Sequence, residues 1–152
     1  MDSIDRQILE FLQENAKIAN SEIAKRLNMA PSAILERVRK LEKKNILTGY
    51  TARINPEAVD LDLLAFVMMS VEVANWSDQI GPELSKIPWV QEVHEIAGHY
   101  SYLIKIRATS TSHLSEILKQ EVGKITKISQ TQSILVLNTV KEEIKLPTLS
   151  GF

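Results

Sequence analysis

Five cations within nine residues are the feature of the sequence most suggestive of chemistry. Between positions 36 and 44 stand Arg37, Arg39, Lys40, Lys43 and Lys44, with only two carboxylates among them. Cations on one helix can neutralise DNA phosphates while polar neighbours hydrogen-bond to base edges. A solvated helix face has the same composition, so the run alone does not decide between the two interpretations.

Three short amphipathic helices are predicted around this run. Asp2 or Ser3 can cap the first, and Asn20 or Ser21 the second. Asn28 tolerates a left-handed turn, and Pro31 suits the first turn of the third helix, which together predict a helix-turn-helix joint. After Lys44, residues 46–54 predict a turn and a short strand, a small wing. The apolar stripes follow the 3.6-residue period: Ile4, Ile8, Leu9 and Leu12; Ile23, Ala24 and Leu27; Ile34, Val38 and Leu41.

This arrangement assigns roles along the third helix. Residues near its N-terminus are expected to contact base edges, and the cations that follow are expected to contact phosphates. The joint, the wing and the net charge of +3 for residues 1–55, against −4 for 56–152, together favour DNA binding over a merely solvated face. The predicted DNA contacts are Ser32, Leu35, Glu36, Arg37, Arg39, Lys40 and Lys43.

Composition excludes several classes of protein. The 152 residues contain no cysteine, and His94, His99 and His113 have spacings that match no pair of metal ligands on one face. We therefore expect no metal and no redox cofactor. No apolar run approaches the roughly 20 residues of a membrane helix, and the acidic N-terminus is unlike a signal peptide, so a cytoplasmic protein without a membrane partner is expected.

From Leu63 the hydrophobic period changes from 3.6 to 2. We predict strands at about 64–73, 90–97, 101–108 and 132–140, with helices at about 77–87 and 111–122. This order predicts a ferredoxin-like βαββαβ sheet, and hence an α+β protein with three parts. The parts are a winged helix-turn-helix domain (1–55), a linker (56–62) and a second domain (63–152).

The predicted central strands are apolar on both faces. Phe66 and Met68 alternate with Val67, Met69 and Val71, and the last strand has a similar run. Because right-handed crossovers put both helices on one face, the other face needs a partner, and we infer a homodimer. Val71 or Val136 is expected to face that partner.

The turn Gly98-His99-Tyr100-Ser101 groups an imidazole, a phenol and a hydroxyl. Such groups can hydrogen-bond a small polar ligand, and they are equally typical of a polar hairpin tip. The residues leave both interpretations open.

Taken together, the motifs resemble the Lrp/AsnC family of bacterial and archaeal transcription regulators over nearly the full length of the chain. The resemblance implies an N-terminal winged helix-turn-helix domain, a ferredoxin-like amino-acid-binding (RAM) domain, dimers that assemble into octamers, and no enzymatic activity. It is carried by Asp2 and Asp5 before Ile8-Leu9-x-x-Leu12-Gln13, Glu22-Ile23-Ala24, Pro31-Ser32-Ala33, Arg37-Val38-x-x-Leu41-Glu42, Ile46-Leu47-x-Gly49-Tyr50, Val90-Gln91-Glu92-Val93, Ala97-Gly98-His99-Tyr100-Ser101-Tyr102 and Thr131-Gln132-Ser133-Ile134-x-x-Leu137.

The resemblance also implies an effector site. Family members commonly have Gly-Asp-Tyr-Asp at this turn, whereas the present sequence is similar to the asparagine-regulator branch. Loss of two carboxylates removes negative charge where a ligand ammonium would lie, so the implied effector is a small polar amino acid. The implied effector residues are Gly98, His99, Tyr100, Ser101, Thr131 and Ser133.

Two alternatives differ in class from a regulator. Siroheme decarboxylases resemble this family and use a histidine of the second domain, a role that His94 or His99 could fill. A tetrapyrrole carboxylate site should be rich in arginine, however, and Arg107 is the only arginine after residue 55. A stand-alone amino-acid sensor lacks the DNA-binding half, which this chain has.

Overall fold

The computed structural model describes residues 1–71 and 79–148, and it divides into two compact units. One comprises Met1–Arg53 together with the segment that begins at Lys141, and the other spans Ile54–Val140. The sequence pattern predicts that residues 141–148 belong to the second domain, whereas the structure groups them with the first. The reason is a set of polar contacts to the first helix, which no hydrophobic pattern marks.

The first unit contains three helices: α1 (Ser3–Glu14), α2 (Asn20–Leu27) and α3 (Pro31–Lys43). Asp2 caps α1 through a reciprocal capping box with Asp5. Asn28 ends α2 in the left-handed conformation, as predicted. The expected cap of α2 is wrong, because the helix follows Ala19 and has no side-chain cap. The predicted apolar stripes form one core, with Ile8, Leu12, Ile23, Ala24, Ile34, Val38 and Leu41 buried.

The predicted wing is not formed. Residues 46–54 contain no strand, although they lie in the part of the chain that the structure describes. A strand needs a hydrogen-bonded neighbour, and no strand in the described part of the chain pairs with these residues. The first unit is therefore a helix-turn-helix without a wing.

The second unit is a four-stranded antiparallel sheet with helices. The strands are β1 (Leu63–Val71), β2 (Val90–Glu95), β3 (Tyr102–Ala108) and β4 (Ile128–Leu135), in the order β2-β3-β1-β4. The helices are α4 (Ile80–Leu84) and α5 (Thr111–Gln120); the predicted start of α4 at residue 77 lies outside the described residues. The α+β fold is confirmed, but β4 begins four residues before its predicted start.

The two faces of the sheet have different environments. On the inner face, odd-numbered residues of β1 and even-numbered residues of β3 pack in a core with α4 and α5. Val71 belongs to this core and is 8% exposed, so of the two residues expected to face a partner Val71 does not, and Val136 stays a prediction. The outer face carries Phe66, Met68 and Leu103, which are not fully buried.

Candidate DNA-binding helix and ligand turn

Six of the seven predicted DNA contacts share one exposed face of α3. Burial of Ile34, Val38 and Leu41 fixes the rotation of the helix, since these residues turn toward the core. The opposite face carries the polar and charged side chains and one apolar exception, Leu35, which is 38% exposed. The side chains on this exposed face are Ser32, Leu35, Glu36, Arg39, Lys40 and Lys43.

The seventh predicted contact, Arg37, forms ion pairs with two carboxylates of the first unit. Its Nη1 donates to Asp2 Oδ2 and to Asp5 Oδ1, each at 2.7 Å. Hydrogen bonds from the Asp5 backbone and from Arg37 lower the pKa of Asp2, and the bonds to both carboxylates raise the pKa of Arg37. Arg37 therefore ties the N-terminus of α1 to the middle of α3, and its assignment as a DNA contact stays a prediction.

A shallow cleft of about 440 Å³ lies beside α3. At its edge, Tyr50 donates from its hydroxyl to Glu42 Oε1 at 3.0 Å. Burial and this acidic partner raise the pKa of Tyr50, which keeps the phenol protonated. No sequence pattern predicts a role for either side chain. The cleft is lined by Leu12, Ala16, Ile18, Ala19, Asn20, Leu35, Val38, Arg39, Glu42 and Tyr50.

In the second unit, the turn at residues 98–101 is anchored to the end of β1. Ser101 donates its N–H to Met69 O at 2.7 Å, and its hydroxyl accepts from the Val71 N–H at 3.3 Å. Ser70 Oγ donates to His99 O at 3.2 Å. Gly98 has a backbone φ of +144°, an angle that residues with a side chain rarely adopt. A Cβ at this position would nevertheless meet no neighbour within 4 Å. The turn needs glycine for its backbone angle and not for space.

The turn reaches a residue that the sequence analysis missed. The Tyr100 hydroxyl donates to Gln132 Oε1. Gln132 pairs with Met68, whereas the predicted effector residues Thr131 and Ser133 pair with Met69 and Val67. Paired residues of antiparallel strands project to the same face. Thr131 and Ser133 therefore lie on the opposite face of β4 from Gln132, and the turn approaches β4 on the side that the prediction did not choose.

The three histidines lie in different surroundings. His94 Nε2 is 3.2 Å from Glu92 Oε2, while the His99 ring stacks edge-on against Tyr100. His113 Nδ1 accepts from the Thr109 N–H. Across residues 1–71 and 79–148, no three His, Asp or Glu residues are grouped as metal ligands. In the same ranges, no helix combines the length and the apolar character needed to cross a membrane.

Two family models match this chain. One, described as the AsnC-type helix-turn-helix domain, matches residues 1–42, which include α1, α2 and nearly all of α3. The other, described as the Lrp/AsnC ligand binding domain, matches residues 64–146, which include the whole sheet except its first residue. The helix-turn-helix and the sheet thus correspond to separate, described domains.

Individual relatives give the same result. The HTH-type transcriptional regulator FL11 of Pyrococcus furiosus is 35% identical over 147 residues, covering 97% of this chain and 96% of that protein. The leucine-responsive regulatory protein of Escherichia coli is 33% identical over 148 residues, covering 96% and 90%.

A solved structure adds the agreement of the fold. The feast or famine regulatory protein from M. tuberculosis, complexed with L-methionine, superposes with a TM-score of 0.88 at 32% identity, covering 95% of this chain and 97% of that one. The relatives are named as regulators, which favours regulation over the decarboxylase alternative. The chain belongs to the Lrp/AsnC family of transcriptional regulators.

Proposed function

We propose that this regulator binds duplex DNA as a homodimer through the exposed face of α3 and responds to an amino acid bound near the turn at residues 98–101. The observation that carries the DNA half is the shared face of α3, where three cations project from one side of a helix whose other side is fully packed. Those cations are Arg39, Lys40 and Lys43.

The residues of this face divide by chemistry. Ser32, Leu35 and Glu36 stand nearest the N-terminus of α3, the part of a recognition helix that enters the major groove. The exposed Leu35 side chain suits a thymine methyl group, and the Glu36 carboxylate can accept from a cytosine amino group. Arg39, Lys40 and Lys43 bind phosphates and supply affinity with little sequence preference.

The outer face of the sheet supports the dimer. It combines the partly buried Phe66, Met68 and Leu103 with Ile134, which is 44% exposed. A second copy of the sheet is the surface of matching chemistry, and a stable association needs on the order of 1,000 Å² or more of buried surface. The dimer presents two copies of α3 to successive major-groove faces. Assembly of dimers into octamers is the larger form of the same proposal.

The ligand half rests on the turn and on the relatives. The M. tuberculosis protein is described as a complex with L-methionine, which supports an amino acid as the ligand class here. The Tyr100 hydroxyl, the Gln132 amide and the turn backbone offer hydrogen-bonding groups. Because the four turn residues include no carboxylate, the finer proposal is a small polar amino acid.

The DNA half is tested by the salt dependence of binding. We expect the affinity of the wild-type protein for a duplex carrying its site to fall steeply with salt. The reason is that Lys and Arg side chains bound to phosphates displace counterions from the DNA. Arg39→Ala should lower the slope of log K against log salt by roughly 1. Lys119→Ala, which removes one charge from the exposed surface of α5, is the matched control and should leave the slope unchanged.

Fluorescence anisotropy at several salt concentrations measures both slopes. A slope that responds equally to the two substitutions would contradict the assignment of α3 as the DNA-binding face.

The proposed amino-acid binding is tested by melting the protein with each of the twenty amino acids in turn. A ligand at about 100 times its Kd adds about 2.7 kcal/mol of stability, and melting curves that no amino acid shifts would exclude this binding.

A further inference from the structure

The C-terminal segment, residues 142–148, lies along α1. It forms neither helix nor strand, yet Gln13 binds one of its residues through two hydrogen bonds. Gln13 Nε2 donates to Leu146 O at 3.0 Å, and Gln13 Oε1 accepts from the Leu146 N–H at 2.6 Å. One side-chain amide thus satisfies both backbone groups of one residue, as a neighbouring β-strand would.

Other residues of the first unit contact the segment on either side of the hydrogen bonds between Gln13 and Leu146. Arg6 Nη1 donates to Thr148 O at 2.9 Å, and Lys145 Nζ lies 3.2 Å from Glu14 Oε1. Near residue 142 the guanidinium of Arg53 donates to Glu142 O at 2.7 Å. On α1 the partners fall at i, i+4, i+7 and i+8, a single stripe opposite the buried Ile8 and Leu12. That stripe is Arg6, Glu10, Gln13 and Glu14.

The attachment is polar and exposed. Ile144 and Leu146 remain 65% and 71% exposed, so little apolar burial holds the segment. A hydrogen bond of this kind contributes modestly because water competes for both partners. A segment held mainly by such bonds detaches without unfolding of the helix beneath it.

We propose that the outward stripe of α1 is a docking face for the chain's own C-terminal segment, and that this reversible attachment links ligand binding to DNA binding. The inference rests on the proposed function and extends it. Along the chain, six residues (136–141) separate the segment from β4, the strand that carries Gln132. The helix that the segment contacts, α1, is in turn bound to α3 by the hydrogen bonds of Arg37 to Asp2 and Asp5.

A defined sequence of contacts follows from this connectivity. A ligand that shifts β4 alters the tension on the segment, and the segment holds α1. Because α1 holds Arg37, the change reaches the helix proposed to bind DNA. The coupling is reciprocal, so DNA must change the affinity for the amino acid by the same factor.

The experiment uses the full chain with Gln13→Leu, which removes both bonds to Leu146. Gln7→Leu is the matched control, since Gln7 lies on the same helix and its side chain makes no hydrogen bond within the described residues. Hydrogen exchange should show the Leu146 amide exchanging about tenfold faster in Gln13→Leu, and at the wild-type rate in the control. Equal exchange rates in all three proteins would overturn the docking, and this arm needs neither DNA nor amino acid.

The second arm measures the DNA affinity with and without millimolar L-asparagine or L-methionine. In Gln13→Leu, the change in affinity caused by the amino acid should shrink to less than about twofold, while the affinity without amino acid stays near wild type. Leu146→Pro removes the same N–H from the other side and should have the same effect. An undiminished response in both variants would overturn the coupling. A wild-type protein that does not bind DNA at all would contradict the proposed function, and the exchange arm would still decide the docking.

Discussion

The two units differ in how their candidate site residues are distributed along the chain. In the first unit the exposed residues proposed to contact DNA lie within twelve positions of one helix, between Ser32 and Lys43. In the second unit the turn at 98–101 meets Gln132, which is 32 positions after Tyr100. A helix displays its site through its own periodicity, whereas a sheet assembles a site through pairing between distant segments. Sequence patterns therefore locate the first kind of site more readily than the second.

The largest expected effect separates the two faces of the sheet. Val67→Glu places a carboxylate in the inner core, where Val67 is fully buried, and should lower the free energy of unfolding by about 3 kcal/mol or more. Ile134→Glu changes the outer face, and should reduce dimerisation while the monomer keeps its stability. Chemical denaturation measures the first effect and sedimentation equilibrium the second.

The outcome distinguishes a core from an interface. If the folded Ile134→Glu variant sediments as the same oligomer as the wild-type protein, the outer face is not the dimer surface. If the wild-type protein sediments as a soluble monomer at micromolar concentration, the dimer itself is excluded.

An intermediate effect separates two arginines of α3. Arg37→Ala breaks the bonds to Asp2 and Asp5 and should lower the stability by about 1 kcal/mol. DNA affinity should fall, because α3 loses its tie to α1, yet the salt slope should stay at the wild-type value. Arg39→Ala should change the slope and leave the melting temperature almost unaltered. Thermal melting and salt titration of both variants test the distinction, and a reduced slope in Arg37→Ala would restore Arg37 to the phosphate-binding set.

Much of the fold was predictable because its signals are local. The three helical stripes, the turn at Asn28 and the order of strands all follow from periods of 3.6 and 2. Two features, the absence of the wing and the partners of Arg37, were not predicted because they depend on distant residues. The predicted wing has no neighbouring strand in the described residues. Arg37 donates to the carboxylates of Asp5 and Asp2, which lie 32 and 35 positions earlier in the sequence.

The contacts of the C-terminal segment also could not be predicted from the sequence. Exposed side chains such as Ile144 and Leu146 carry no periodic pattern, and the bonds that fix the segment use its backbone. Backbone groups are the same in every sequence, so their partner, here Gln13, is visible only in the structure. Glutamine at position 13 belongs to the motif quoted for the family resemblance, but that motif does not indicate what the amide binds.

The smallest expected effect concerns the two faces of β4. Tyr100→Phe removes the hydroxyl that binds Gln132 and should weaken amino-acid binding by about three- to tenfold, the range for one lost hydrogen bond. Thr131→Val keeps the size of the side chain on the opposite face and should leave the affinity unchanged. Thr131 is exposed and Tyr100 is partly exposed, so neither substitution should alter the stability by more than about 0.5 kcal/mol. Isothermal titration with the amino acid that gives the largest thermal shift measures both affinities. If Thr131→Val weakens binding and Tyr100→Phe does not, the ligand lies on the helix side of β4, and the original assignment of Thr131 and Ser133 is correct.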